Sequence, residues 1–203
     1  MKLYTNSRSP SPRRLRIFLA EKGIEIPEEN VDLGQLEQRS DVFTAINPLQ
    51  RVPALVLDDG TVLTESTAIC RYFEVLQPEP PLFGVSALEQ ALVEMWDRRM
   101  ELNLYQPVSM VFRHLHPAMA ERENPQVAAW GEVNKPRVQF CLELLDQQLG
   151  SHPFIAGERF SVADITAVVS VDFMKPAKLV VPEDLKHLRR WYAEVSTRPS
   201  VKG

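Results

Sequence analysis

The spacing of apolar positions changes character near Pro80. Before it, short apolar runs alternate with helix-spaced ones. Lys2-Leu3-Tyr4-Thr5 reads as a short strand, with Tyr4 a core residue. Leu15, Phe18 and Leu19 mark one face of a helix that closes at Gly23. Asn30 to Leu33 reads as a second strand, and Ser40 to Ile46 as a short helix ended by Asn47-Pro48. Ala54-Leu55-Val56-Leu57 and Val62-Leu63-Thr64 flank Asp58-Asp59-Gly60-Thr61, and an Asp-Gly pair between apolar runs predicts a hairpin. Ile69, Tyr72, Phe73 and Leu76 carry a further helix that opens near Glu65-Ser66. The predicted order is βαβαββα.

Pro78, Pro80 and Pro81 then interrupt the pattern, because prolines so close together fit neither a helix interior nor a central strand. A boundary belongs here, with one domain at 1–80 and another at 87–203. Beyond it the spacing is helical throughout. Leu88, Leu92, Met95 and Trp96 begin a stripe that runs to Val111-Phe112 with a kink expected at Pro107. Further helices are predicted over Val127–Leu149, from Ser161, and from near Glu183. Phe160-Ser161-Val162-Ala163-Asp164-Ile165 has the form of a capping box with a hydrophobic staple, Ser161 capping, Asp164 reaching back and Phe160 meeting Ile165. The role of Asp164 is read as structural. The fold class is therefore α/β plus all-α.

Composition narrows the function. The chain has 203 residues, 44% hydrophobic and 25% charged, which suits globular domains with real cores. A net charge of −4 argues against nucleic acid as a partner. No apolar run has the length of a membrane span and the N-terminus has no apolar signal core, so a cytoplasmic protein is expected. The two cysteines, Cys70 and Cys141, form neither a Cys-x-x-Cys motif nor a metal-ligand pattern and fit apolar helix faces as inert residues. The four histidines are scattered, and His114-Leu115-His116 has no ligand partner close in sequence, so no metal is expected.

Several segments resemble bacterial glutathione transferases. Ser9 to Gly23 is similar to their first loop and helix, Asn47-Pro48-Leu49-Gln50-Arg51-Val52-Pro53-Ala54-Leu55 to the approach to their third strand, and Thr64 to Ile69 to the start of their glutathione-binding helix. The capping box resembles an element of their C-terminal domain. The pieces stand in the family's order across nearly the whole chain. The resemblance implies a thioredoxin-like N-terminal domain, an all-helical bundle, a homodimer, and a detoxifying enzyme that activates the thiol of glutathione against a small electrophile. Isomerisation or reduction on the same fold, and a non-catalytic relative that binds a protein partner, are the alternatives.

Such a site must hold an anionic tripeptide and favour thiolate over thiol, since the thiolate is the nucleophile. Pro12 suits the first position of a helix, which makes Ser11 the expected cap and leaves the Ser9 hydroxyl to face a ligand. Family members place a Ser, Thr, Tyr or Cys near this point, so the resemblance implies Ser9 as the thiolate-stabilising residue, with Ser11 its rival. The resemblance also implies a cis Val52–Pro53 bond whose backbone pairs with the cysteinyl part of glutathione. Glu65 and Ser66 would take the γ-glutamyl group, Ser66 and the helix N–H groups its carboxylate and Glu65 its ammonium. Gln38 and Arg51 would contact the glycyl end and the backbone. Arg8, Arg13, Arg14 and Arg16 are read as a solvated helix face, with steering of an anionic substrate as the other use. The electrophile pocket is expected between the domains, lined by Asn103, Tyr105, Gln106, Met110 and Phe112.

Overall fold

A computed structural model describes residues 1–202. Backbone contacts divide the chain into one unit at Met1–Leu82 and another at Phe83–Lys202.

The first unit is built on four short strands, β1 (Lys2–Thr5), β2 (Glu28–Asn30), β3 (Ala54–Val56) and β4 (Val62–Thr64), in the order β2-β1-β3-β4. β1 and β2 run parallel, and β3 is antiparallel to both β1 and β4. Three helices complete the unit: α1 (Pro10–Lys22), α2 (Asp41–Ile46) and α3 (Ser66–Leu76). Leu3, Leu15, Phe18, Leu55 and Ile69 are fully buried and form the core between sheet and helices. A smaller cluster of Val31, Phe43 and Val52 packs with Tyr4 and Leu33, and the Tyr4 and Phe43 rings meet edge to face at 6.1 Å.

Two local readings need correction. The second strand lies at Glu28–Asn30, ahead of the predicted Asn30–Leu33. All three of its side chains are exposed, so it is held by main-chain pairing to β1 and leaves no apolar signature. Helix α1 begins at Pro10, which makes Ser9 and not Ser11 its N-cap. Pro10 and Pro12 both fall in the first turn, where a missing N–H costs nothing.

The hairpin closes as predicted, with Gly60 at φ 85° and Asp59 accepting the Thr61 N–H at 2.8 Å, a bond that holds its carboxyl below the usual range. After α3 the proline-rich segment is tied to the end of α1. The buried Lys22 ammonium donates to the carbonyls of Gln77 (2.8 Å), Pro78 (3.1 Å) and Pro80 (2.6 Å) and pairs with Glu74 at 2.6 Å.

The second unit holds α4 (Ala87–Met100), α5 (Gln106–Leu115), α6 (Ala128–Leu149), α7 (Val162–Met174), α8 (Lys186–Val195) and α9 (Pro199–Lys202). Between α4 and α5 the backbone widens into a π-helical turn at Glu101–Tyr105, in which the Gln106 N–H bonds back to the Glu101 carbonyl. Pro107 is the cause. It cannot donate to the carbonyl of Asn103, and its ring crowds that oxygen, so the helix adjusts one turn before the proline. α7 is buried on nearly every side.

Asp164 organises this unit. Its fully buried carboxylate accepts the N–H groups of Ile155 (3.0 Å) and Ser161 (3.0 Å), the Ser161 hydroxyl (3.1 Å) and the Trp191 indole N–H (2.8 Å). The predicted capping box is present, but its carboxylate also reaches α8 and the turn before α7. Phe160 meets Phe154 edge to face at 6.0 Å and carries the Arg198 guanidinium over its ring at 4.1 Å. Burial pushes Asp164 up to about 6 against the four donors that pull it down.

Candidate functional site

Sheet topology brings the Ser9 loop, Val52-Pro53 and Glu65-Ser66 to one end of the first unit. β1 runs towards that end and exits into the loop Asn6–Ser9. β3 is antiparallel to β1 with Tyr4 opposite Ala54, so Val52-Pro53, just before β3, lies beside the exit of β1. β4 is antiparallel to β3 with Thr64 opposite Ala54, so Glu65 and Ser66 emerge at the same end. β2 runs parallel to β1 and leaves there too, into the segment that carries Gln38 and Arg51 and returns to Val52.

Ser9 is half-buried at the N-cap of α1, with φ −89° and ψ 134°. Its carbonyl accepts the Arg13 N–H at 3.1 Å, while its hydroxyl makes no capping bond. An N-cap serine normally spends that hydroxyl on a backbone N–H. Here the side chain stands at the positive end of a 13-residue helix uncommitted to it. Ser11 sits in the first turn, half-buried.

The Val52–Pro53 peptide is cis, and both residues are buried. The loop before it is shaped by Asn47, a buried residue that the sequence reading used only as a helix stop. Its Nδ2 donates to the Arg51 carbonyl at 2.7 Å and its Oδ1 accepts the Leu49 N–H at 3.1 Å. Arg51 itself points its side chain to solvent.

Glu65 is the N-cap of α3 at φ 64° and ψ 115°, a conformation that costs a non-glycine residue about 1–3 kcal/mol. Its side chain makes no capping bond. Ser66 follows as the first residue of α3, buried. Gln38 lies in a single 3₁₀ turn, Glu37–Arg39, and its buried Oε1 has no hydrogen-bond partner among the described residues. A buried acceptor of this kind costs about 1–3 kcal/mol unless a ligand completes it.

The arginine cluster divides. Arg8 is exposed, but Arg14 is buried at 5% exposure and donates to the Thr67 hydroxyl at 3.3 Å, tying α1 to the first turn of α3. Arg16 donates to the Ser7 carbonyl at 2.9 Å. The solvated-face reading therefore fails for Arg14, whose stem packs in the core.

The five expected electrophile residues do not share one face in the second unit. Tyr105 and Phe112 lie on one stripe and both meet Phe173 of α7, at 6.3 and 5.1 Å between ring centres. Phe112 also meets His116 at 4.8 Å. At about 100° per residue, Gln106 and Met110 point roughly 120° and 160° away from Phe112 around α5. Asn103 is exposed and its Nδ2 donates to the Arg99 carbonyl at 3.2 Å. Phe173 lies outside the expected set because α7 is buried on nearly every side, so its own spacing marks no special face.

Cys70 and Cys141 are both buried, and burial pushes Cys141 up to about 12. His114 and His116 each use Nδ1 to accept a backbone N–H, from Val127 (3.1 Å) and Ala118 (3.2 Å).

The fold and this convergence define a two-unit protein of the glutathione transferase class, and comparison with known proteins agrees. The glutathione S-transferase N-terminal domain matches residues 8–76 and the glutathione S-transferase C-terminal domain residues 109–199. Glutathione S-transferase 2 of Saccharomyces cerevisiae is 38% identical over 100% of this chain and 88% of its own length. A glutathione S-transferase domain-containing protein from Marinobacter aquaeolei superposes with a TM-score of 0.96 at 38% identity, covering 99% of this chain and 100% of that one. A class Gtt2 enzyme of Vibrio parahaemolyticus superposes at 0.88 with 36% identity, covering 100% and 96%. The chain belongs to the glutathione S-transferase family.

Proposed function

We propose that the protein binds glutathione at the strand-exit end of its first unit and activates its thiol for attack on a small electrophile, to which the glutathionyl group becomes joined through sulfur. The carrying observation is the Ser9 hydroxyl, uncommitted at the N-terminus of α1 beside Val52-Pro53 and Glu65-Ser66. Bound glutathione loses its thiol proton to solvent. The Ser9 O–H donates to the thiolate, and the α1 dipole adds to its stability. Lowering the thiol pKa by about two units takes roughly 2.7 kcal/mol, within the reach of these two effects. The thiolate pair then forms the C–S bond, and the leaving group departs with its own electron pair.

The remaining residues bind. The Val52 backbone pairs with the cysteinyl unit. The first N–H groups of α3 and the Ser66 hydroxyl take the γ-glutamyl carboxylate, and Glu65 takes the ammonium. Gln38 completes its buried acceptor on the glycyl amide, and Arg51 offers charge to the terminal carboxylate. Of the five residues expected to line the electrophile site, Tyr105 and Phe112 are retained, joined by Phe173.

The protein works in the cytoplasm as a homodimer, in detoxification, and uses no metal. Among the described residues no helix is long and apolar enough to cross a membrane. Exposed apolar side chains recur on α4 (Leu88, Leu92, Met95) and α6 (Trp130, Val133, Phe140), a surface of the kind that supports self-association. Light scattering should give twice the chain mass.

Calorimetric titration with glutathione, followed by conjugation of chlorodinitrobenzene, tests the reading. Binding with turnover supports it, and absence of binding removes it. Thiol-dependent isomerisation is the second reading, favoured by 31% identity over 177 residues to maleylacetoacetate isomerase of Pseudomonas aeruginosa. Binding without turnover would move the assignment there.

A further inference from the structure

The loop that carries Ser9 has little apolar support of its own. Ser7 and Arg8 are exposed, and Ser9 is half-buried. Its shape comes from hydrogen bonds, and three of them converge on one side chain and its backbone. The Asn6 carbonyl accepts the Ser9 N–H at 3.2 Å and closes a four-residue turn. The Asn6 Oδ1 accepts the Arg8 N–H at 3.1 Å, an Asx turn inside the first. The Asn6 Nδ2 donates to the Val31 carbonyl at 2.9 Å, just beyond β2. Arg16, nearly two turns into α1, donates to the Ser7 carbonyl at 2.9 Å and holds the loop from its other side.

The arrangement fixes Ser9 from both directions. Its N–H is bound to Asn6 and its carbonyl to Arg13, which leaves the hydroxyl as its one group not used to build the loop. A serine or threonine at position 6 could cap Arg8 but would be too short to reach Val31 as well, so the residue type matters.

We infer that Asn6, backed by Arg16, is a positioning residue that aims the Ser9 hydroxyl at the glutathione sulfur. The inference rests on the reading of Ser9 given above. Asn6 touches no reacting atom. It acts by holding Ser9 where its O–H meets the thiolate, and a misplacement on the order of 1 Å can cost up to about a hundredfold in rate.

The test compares Asn6→Ala, Ser9→Ala and the double variant, with the ultraviolet absorbance of the bound glutathione thiolate followed against pH. Asn6→Ala should raise the apparent pKa of the bound thiol and lower kcat roughly tenfold, with KM for glutathione within about twofold. In the Ser9→Ala background, Asn6→Ala should add nothing, because its effect passes through Ser9. Arg16→Ala, at a half-buried site on α1, should shift the thiol titration in the same direction by a smaller amount and guards against misfolding of the Asn6 variant. Full additivity of the two effects, or an unchanged thiol titration in both Asn6→Ala and Arg16→Ala while Ser9→Ala shifts it, overturns the inference and leaves Ser9 standing. An unchanged titration in Ser9→Ala overturns both.

Discussion

At the scale of single residues the site is distinguished by polar groups left unfinished. Ser9 caps a helix without using its hydroxyl, Glu65 holds φ 64° without being glycine, and Gln38 buries an unpaired oxygen. Glu65 and Gln38 each carry a local cost, and a ligand that donates to the Gln38 oxygen would offset the second. Ser9→Ala should therefore lower kcat by about tenfold to a hundredfold and leave the glutathione dissociation constant nearly unchanged. Ser11→Ala should do much less, and the reverse result would exchange their roles. Ser66→Ala should instead weaken glutathione binding about tenfold, as calorimetry would register.

Asp164 is the opposite case, a residue with every lone pair employed. Replacing it with alanine strands three buried N–H donors, so the cost is about 3–5 kcal/mol, well above that of a lost cap. Its pH dependence has an unusual sign. The folded pKa of about 6 exceeds the unfolded value of 3.8, so the native state binds the extra proton between those limits. That contribution to stability is present below pH 4 and is lost as pH rises to 6. The stability difference between wild type and Asp164→Asn, measured by urea unfolding, should fall between pH 4.5 and 6.5. A difference that stays level or rises would contradict the burial account.

At the scale of elements, what was legible in the sequence was what local chemistry determines. Asp59-Gly60 marked the hairpin, Ser161 and Asp164 marked the start of α7, and Ser40 caps α2 by accepting the Phe43 N–H at 3.2 Å. What escaped was set by distant partners. β2 exists because β1 pairs with it, and the N-terminus of α8 is capped by Asp146 of α6, whose Oδ1 accepts the His187 and Leu188 N–H groups at 2.8 and 2.9 Å. No spacing within α8 signals that. The π turn before Pro107 likewise breaks the period that sequence reading assumes. In the site, residue types pointed to Ser9, Glu65 and Ser66, but the loop-shaping bonds of Asn6 and Asn47 appear only once the strands are paired.

The crossing of α5 and α6 carries its own prediction. A Cβ on Gly131 would lie 2.6 Å from Leu115 Cγ, so the two helices touch where no side chain fits. Gly131→Ala gains about 1 kcal/mol in helix propensity but should lose more to overpacking, and the melting temperature should drop by several degrees. A rise would mean that Leu115 yields without cost.

At the scale of the whole molecule, two units with separate cores divide the work. The first brings four chain segments to one end of a small sheet, which is how residues as far apart in sequence as Ser9, Val52 and Ser66 come to leave the sheet at the same end. The second offers an aromatic stripe of Tyr105, Phe112 and Phe173 on a helical frame pinned by Asp164. Phe173→Ala should raise KM for an aromatic electrophile several-fold and leave KM for glutathione unchanged.

The claim on which the proposed function depends is that the Ser9 hydroxyl stabilises a glutathione thiolate. Its most direct test is the thiolate absorbance of glutathione bound to wild type and to Ser9→Ala, titrated with pH. The account predicts a bound thiol about two pKa units below free glutathione in the wild type and most of that shift lost in the variant. Identical titrations in the two proteins would contradict it.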